Sequence, residues 1–195
     1  MNAITYHHGL RPDQRARAAG LYWQAFGGKL GRVMGPQPRA LDFIERVIAP
    51  QFAIAACDPH GQVIGVIGFR TPHGSFVGGG LPDLRASYGR IGGLWRAGCL
   101  RFLAQDLEAG TVMVDGIAVS ADLRGHGIGT ELIETLSSYA QSQGYRALCL
   151  EVVEENLRAR ALYHRLGFMV TGQRHSAFTR FAFNFHRVHE MRRAL

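Results

Sequence analysis

The feature that most constrains the fold of this chain is a glycine-rich segment, Arg-Gly-His-Gly-Ile-Gly at 124–129. It follows an apolar run over 112–119, typical of a buried strand, and precedes a helical pattern. Glycines at 125, 127 and 129 leave no side chain to hold a ligand away from the backbone. Because the loop amides and the dipole of the next helix converge there, the segment predicts a diphosphate site.

The spacing of these glycines separates the classes of nucleotide-like ligand. A Walker loop requires Gly-Lys-Ser/Thr, and no lysine stands near Thr130. The dinucleotide fingerprint G-x-G-x-x-G also fails, because Thr130 occupies the place of its last glycine. A nucleotide-dependent oxidoreductase is therefore disfavoured.

The pattern that does fit is Arg/Gln-x-x-Gly-x-Gly/Ala, and further runs follow it in a recognisable order. Ile117–Val119 lies just upstream, Leu150–Val152 and Asn156 lie downstream, and Ala161–Phe168 comes last. That last run is similar to A-x-x-L-Y-x-x-x-G-F, offset by one alanine. From Thr111 to about Phe168 the chain resembles the core of the GNAT superfamily of N-acetyltransferases.

The resemblance implies acetyl-CoA as co-substrate, and no metal is expected. It implies that the diphosphate is contacted by the loop and the pantetheine arm by the preceding strand, with Asn156 also touching CoA. The residues predicted to bind acetyl-CoA are Ile117, Ala118, Val119, Arg124, Gly125, His126, Gly127, Ile128, Gly129, Thr130 and Asn156. His126 could alternatively be catalytic, but a loop histidine facing phosphate or solvent fits better.

Tyr163 is the leading candidate for the general acid. A tyrosine hydroxyl with an ordinary pKa near 10 is protonated at neutral pH and can supply a proton to a departing thiolate. The alternative is that Tyr163 only packs, as tyrosines on C-terminal helices often do. Asn156 lies seven residues earlier, on the same helix face, and is expected to cap that helix as well.

Two carboxylates are candidates for the general base. Asp115 is expected on its strand before a bulge, with its side chain on the same alternating face as Ile117 and Val119. Glu151 ends the neighbouring strand, where the ribosomal-protein N-terminal branch of the family, the nearest in motif, carries a glutamate. Each could accept the proton of the amine directly or through water, and each could equally be a solvated strand-end carboxylate. Asp115 is more suited to orienting the amine.

The composition describes one globular domain over residues 1–195, with 47% hydrophobic and 19% charged residues and a formal charge of +7. Lys29 is the only lysine and the arginines are dispersed, so no nucleic-acid partner is expected. No apolar run is long enough to cross a bilayer. Cys57, Cys99 and Cys149 are widely spaced, which favours a reducing cytoplasm over a disulfide framework.

The order of elements predicts an α/β fold with a mixed central sheet of about seven strands flanked by helices. Helices are predicted over 11–26, 38–48, 129–144 and 156–166, and strands over 52–57, 63–69, 112–119, 147–153, 169–171 and 181–191. The glycine pair at 27–28 is expected to end the first helix.

A helical insert is predicted over 74–108, between the third and fourth strands. An apolar stripe indicates helix, formed by Leu84, Tyr88, Ile91, Trp95, Cys99 and Phe102. Glycines at 89, 92 and 93 should break that helix. We expect the insert to cover the acceptor side of the cleft, with Arg90 and Arg96 favouring an anionic substrate; the alternative is packing on the sheet edge or a homodimer interface.

Taken together, the sequence predicts a cytoplasmic N-acetyltransferase that moves an acetyl group from acetyl-CoA to a primary amine of a small molecule, peptide or protein. The alternative is a non-catalytic acyl-CoA-binding or sensing protein on the same fold. Tyr163 beside Asn156 favours catalysis, because a sensor has no need of an acid there.

Overall fold

The computed structural model describes residues 4–101, 107–175 and 187–195. Within them the chain forms a single sheet and its flanking helices. The elements are β1 (Thr5–His8), α1 (Arg15–Met34), α2 (Gln37–Val47), β2 (Ala53–Cys57), β3 (Val63–Thr71), β4 (Gly74–Ser75), α3 (Leu81–Arg101), β5 (Thr111–Val119), α4 (Ile128–Ser142), β6 (Ala147–Val153), α5 (Leu157–Arg165), β7 (Met169–His175) and β8 (Arg187–Ala194).

The predicted mixed sheet is confirmed. Its strand order is β1-β2-β3-β5-β6-β8-β7, with the two-residue β4 paired to β3. The pairs are antiparallel except for β5 and β6, which run parallel. Because β4 is counted, the insert helix α3 precedes the fifth strand rather than the fourth.

The sheet carries a separate hydrophobic core on each face. One core is built with α1, α2 and α3 and contains Phe43, Ile44 and Phe76. The other is built with α4 and contains Leu132, Leu136 and Leu148, and the side chains of α5 pack at its border. We call these the α1 face and the α4 face; membership of one core or the other shows which way each strand residue points.

The parallel pair β5–β6 parts halfway along its length. Backbone pairing runs from Thr111 opposite Ala147 to Val114 opposite Leu150 and then stops. Both strands continue beyond that point, to Val119 and Val153. The inner edges of β5 and β6 therefore leave an opening in the middle of the sheet.

The first helix is longer than predicted. The glycine pair at 27–28 does not end α1, which continues to Met34 and stops at Gly35, before Pro36. A Cβ built on Gly27 would lie 2.8 Å from the indole ring of Trp23. Gly27 is thus required by packing within the helix rather than as a terminator.

Strand β1 was not anticipated, and the last strand extends further than predicted. Residues 5–8 pair with β2 although their sequence is polar, because an edge strand with half-buried residues needs no apolar alternation. The last strand, predicted over 181–191, is described from Arg187 and reaches Ala194. Residues 181–186 lie outside the described part.

The insert helix is broken, as predicted. Gly89 has φ 75° and ψ 174°, values that a residue with a side chain rarely adopts, and it divides α3 into two segments. The predicted apolar stripe is correct only in part. Ile91 and Trp95 are 87% and 53% exposed, because the break changes the direction of the second segment, whereas Tyr88 is buried. Phe102 lies outside the described residues.

Candidate active site

A cavity of about 560 Å³ occupies the opening between β5 and β6. Its lining comes from both faces of the sheet: Ile128 and Leu150 belong to the α4 face, and Ala118 to the α1 face. Nearly every residue predicted for the site lines this cavity: Asp115, Ile117, Ala118, Val119, Arg124, Gly125, Gly127, Ile128, Gly129, Thr130, Glu151, Asn156 and Tyr163. His126 is absent from the lining.

The glycine loop enters α4 in a conformation that exposes its backbone. Gly125 and Gly127 have φ of 89° and 83°, and Gly127 is the N-cap of α4. A Cβ added to Gly127 or Gly129 would meet no atom within 4 Å, so the space above the first turn is open. The first N–H groups of a helix have no partner inside it. Open space over unpaired amides fits an anionic group such as a diphosphate.

Two arginines on α5 also line the cavity, and neither was predicted from the sequence. Arg158 and Arg165 both contribute to the lining. The Nη2 atom of Arg158 lies 3.7 Å from the position of a Cβ on Gly125, so its guanidinium faces the loop directly. The sequence did contain a signal for Arg158, which is a basic residue in the first turn of the helix after β6. The topology places that turn beside the glycine loop.

Asn156 and Tyr163 lie on or next to α5. The Oδ1 atom of Asn156 accepts a hydrogen bond from the Ala159 N–H at 3.2 Å, so the predicted cap is confirmed. Ala159, three residues before Leu162, is in register with the A-x-x-L-Y motif, so the motif needs no offset. Burial raises the pKa of Tyr163 to about 12. Among the described residues its hydroxyl has no hydrogen-bond partner.

Asp115 lies at a bulge of β5. Gly68 of β3 pairs with Gly116, and the next residue of β3, Phe69, pairs with Val114, so Asp115 is an extra residue. The bulge breaks the alternation, and Asp115 does not share a face with Ile117 and Val119, contrary to our prediction.

The surroundings of Asp115 are those of the α1 face. Its Oδ2 atom accepts a hydrogen bond from the Phe76 N–H at 3.3 Å, and its Oδ1 lies 3.8 Å from Nε of Arg70. Its side chain is only 17% exposed. Burial raises the pKa of Asp115 to about 6, although Arg70 and the Phe76 amide act in the opposite direction. Asp115 is therefore a buried carboxylate that titrates close to neutral pH.

Glu151 is the first residue of β6 beyond the last paired position, Leu150, and points to the α1 face because Leu150 and Val152 point to the other. Its Oε1 atom accepts a hydrogen bond from Nη2 of Arg174 at 2.6 Å. Asp115 and Glu151 thus lie on the same face of the sheet, at the end of the cavity where β5 and β6 begin to part.

The wall of the cavity at this end comes from α1 and not from the insert. Gln24, Ala25 and Phe26 line it, whereas no described residue of α3 does. The expectation that the insert covers the acceptor side is not supported by the described residues. Arg96 packs on the Tyr88 ring at 3.9 Å and donates to the carbonyls of Gly92 and Gly35, so it holds α3 in place.

Comparison with known sequences assigns this fold and cleft to a class, the acetyltransferases. The sequence model of the acetyltransferase (GNAT) family matches residues 17–168, more than half of the chain. The chain belongs to the acetyltransferase (GNAT) family. The match begins in α1 and includes every residue predicted for the site.

Curated relatives match over a shorter stretch. The uncharacterized N-acetyltransferase YobR of Bacillus subtilis is 37% identical over 73 residues, 34% of this chain and 30% of the relative. N-acetyltransferase 8B of Homo sapiens is 39% identical over 57 residues, 29% of this chain and 25% of the relative. The match therefore covers less than a third of the length of these relatives.

Solved structures show the same fold over nearly the whole chain. A GCN5-related N-acetyltransferase from Kribbella flavida superposes with a TM-score of 0.64 at 20% identity, covering 99% of this chain and 98% of the other. Ard1 from Thermoplasma volcanium superposes with a TM-score of 0.61 at 15% identity, covering 99% and 98%. At these identities the likeness concerns the fold alone.

None of the helices in the described ranges combines the length and apolar character needed to span a membrane. Nor do the described residues contain a group of three or more His, Cys, Asp or Glu side chains arranged to hold a metal ion. The three cysteines are free thiols.

Proposed function

We propose that this chain is an acetyl-CoA-dependent N-acetyltransferase that acetylates a primary amine of a small molecule, peptide or protein by direct attack. The observation that carries the proposal is the cavity between β5 and β6. Its lining includes the glycine loop with Arg158 beside it, the carboxylates of Asp115 and Glu151 where β5 and β6 part, and Tyr163. A transfer between two substrates needs a separate binding region for each, arranged so that their reacting groups meet.

The loop end suits the diphosphate of acetyl-CoA. The open amides of the first turn of α4 and the guanidinium of Arg158 supply hydrogen-bond donors and positive charge. Beyond Val114 the edge of β5 that faces β6 is no longer paired with it. There, at Ile117 and Val119, β5 offers backbone groups to the amide-containing pantetheine arm. His126 is not needed for this role.

The carboxylate end suits the attacking amine. In the transfer, the amine nitrogen forms a bond to the thioester carbon, the C–S bond breaks, and the nitrogen loses a proton. Asp115, with a pKa of about 6, is mostly ionised at neutral pH and can anchor an ammonium group or accept its proton. Glu151 is the second candidate for this role, directly or through water.

Tyr163 is the candidate partner of the departing sulfur. A pKa of about 12 keeps its hydroxyl protonated throughout the physiological range. A thiol has a pKa of about 8.5, so complete transfer of the tyrosine proton to a thiolate is unfavourable at equilibrium. We therefore assign to Tyr163 a hydrogen bond that it donates to the sulfur as negative charge develops there. The proton of CoA–SH is supplied by the amine, by way of Asp115 or Glu151.

The acceptor is defined by charge rather than by size. Asp115 and Glu151 line the cavity, whereas their partners Arg70 and Arg174 do not. This favours a cationic amine, in place of the anionic substrate suggested by the arginines of the insert. The free cysteines agree with the cytoplasmic location that we retain as part of the proposal. A non-catalytic acyl-CoA-binding protein is the second candidate, since the loop alone suffices for binding.

An acceptor panel tests the proposal. Release of the CoA thiol from acetyl-CoA is measured with short peptides of differing N-termini and with small primary amines, and the product is identified by mass spectrometry. Amine-dependent thiol release with a gain of one acetyl group supports transferase activity. Tight binding of acetyl-CoA without such release supports the sensing protein.

A further inference from the structure

Arg174, on the edge strand β7, contacts two carboxylates, of which one, Glu151, lines the cavity. Its Nη2 atom lies 2.6 Å from Oε1 of Glu151, and its Nε lies 3.1 Å from Oε1 of Glu190. Strand β8 lies between β7 and β6, so this side chain reaches across a whole strand to Glu151. The two carboxylates are directly opposite each other on β6 and β8.

A bulge in β7 brings Arg174 to this face. Val170 pairs with Met191 of the α4-face core, but Gly172 pairs with Glu190, so Thr171 is an extra residue. Without the extra residue, the alternation begun at Val170 would send residue 174 to the α4 face. The bulge shifts the alternation of side chains by one residue and so places Arg174 on the α1 face, with Glu151 and Asp115.

The neighbouring residues leave room for this arrangement. A Cβ on Gly172 would lie 2.7 Å from Oε2 of Glu190, so a side chain there would push Glu190 out of its place. The side chains of Arg174 and Glu151 are 45% and 27% exposed, and Glu151 also lines the cavity. Arg174 thus holds a carboxylate that forms part of the cavity wall.

We propose that Arg174 is a positioning residue: it fixes the carboxylate of Glu151 at the acceptor end, and acts on the acceptor amine only through Glu151. Glu190 holds the guanidinium from its other side. The inference rests on the proposed transferase function and extends it to a residue two strands away from the cavity. It predicts that acceptor binding and turnover, but not acetyl-CoA binding, depend on Arg174.

The chain provides a matched control for this test. Arg187 forms an ion pair of the same kind with Glu154 at 2.9 Å, and the two arginines are 45% and 44% exposed. Both pairs involve the β7–β8 hairpin, but Glu154 does not line the cavity. Arg174→Gln removes two partly exposed ion pairs and Arg187→Gln removes one, so the effect of each on folding should be small. Only Arg174→Gln should affect the acceptor.

The deciding experiment is a double-mutant cycle on kcat/KM for the acceptor, with Arg174→Gln, Glu151→Gln and the combined variant. We expect each single change to lower kcat/KM by about 10-fold or more, the combined change to be no worse than Glu151→Gln alone, and KM for acetyl-CoA to stay constant. Arg174→Lys should recover part of the loss, and Arg187→Gln should behave as wild type.

Two results would overturn the inference while leaving the transferase function intact. One is an additive combined loss in a wild-type enzyme that acetylates amines, because Arg174 would then act independently of Glu151. The other is an equal loss in Arg187→Gln, because the effect would then come from the stability of the hairpin. A wild-type enzyme that transfers no acetyl group to any amine would overturn both the function and the inference.

Discussion

Asp115 and Glu151 lie on the same face of the sheet, each one residue beyond Val114 and Leu150, the last pair of the parallel strands β5 and β6. The two carboxylates therefore mark the point at which the sheet opens. Everything proposed for the acceptor follows from this placement, and everything proposed for acetyl-CoA follows from the loop at the other end of the same cavity.

Gly129→Asp should abolish the binding of CoA without harming the fold. The position is in the first turn of α4 with open space above it, so the carboxylate is tolerated and would oppose a diphosphate. An acidic residue at a helix N-terminus is, if anything, stabilising. Calorimetry should show Kd for CoA rising by about 100-fold or more, while the Tm is unchanged and Gly129→Ala binds nearly normally. Binding by Gly129→Asp as tight as that of wild type would remove the loop from the site.

Tyr163→Phe should leave the affinity for acetyl-CoA almost unchanged and lower kcat by about 100-fold, the scale expected when a donor to developing negative charge is lost. The substitution removes only the hydroxyl. It keeps the ring, whose centroid lies 5.8 Å from that of the Phe168 ring. Pre-steady-state measurement of thiol release checks the chemical step itself. An unchanged rate of that step would show that the hydroxyl takes no part in the departure of the sulfur.

Asp115→Asn should alter the dependence of stability on pH. Because the pKa of Asp115 rises from 3.8 to about 6 on folding, the folded protein holds the proton more tightly, and stability is lost as pH rises through this range. The loss amounts to at most about 2 to 3 kcal/mol. Urea unfolding should show that the free energy of unfolding of Asp115→Asn rises relative to that of wild type between pH 4 and pH 7. A difference that does not vary with pH would mean that the carboxylate has an ordinary pKa.

Arg96→Ala should destabilise the protein by about 1 to 3 kcal/mol, because Arg96 donates to two backbone carbonyls and packs on Tyr88. Arg90→Ala, at an exposed position, should change stability by no more than about 0.5 kcal/mol. Neither should affect KM for the acceptor selectively. A selective rise in the KM for the acceptor in Arg90→Ala would show that the insert does contribute to acceptor binding.

The sequence predicted the loop, the helix cap at Asn156 and the strands that carry the site, because these depend on local patterns and on the spacing of glycines. It placed Asp115 on the wrong face, since the bulge lies at Asp115 itself and not after it, and this position depends on pairing with β3. Arg158 and Arg174 were missed for a related reason. Their contacts join elements that are distant in sequence, and only the strand order brings those elements together.

The most direct test of the central claim is acceptor-dependent release of the CoA thiol by the wild-type protein, measured with the amine panel and with Gly129→Asp as a binding-deficient control. We predict thiol release that requires an amine, yields an N-acetylated product and is absent in the control. Stoichiometric binding of acetyl-CoA with the same slow thiol release in the presence and absence of every amine would contradict the transferase function and favour a non-catalytic acyl-CoA-binding protein.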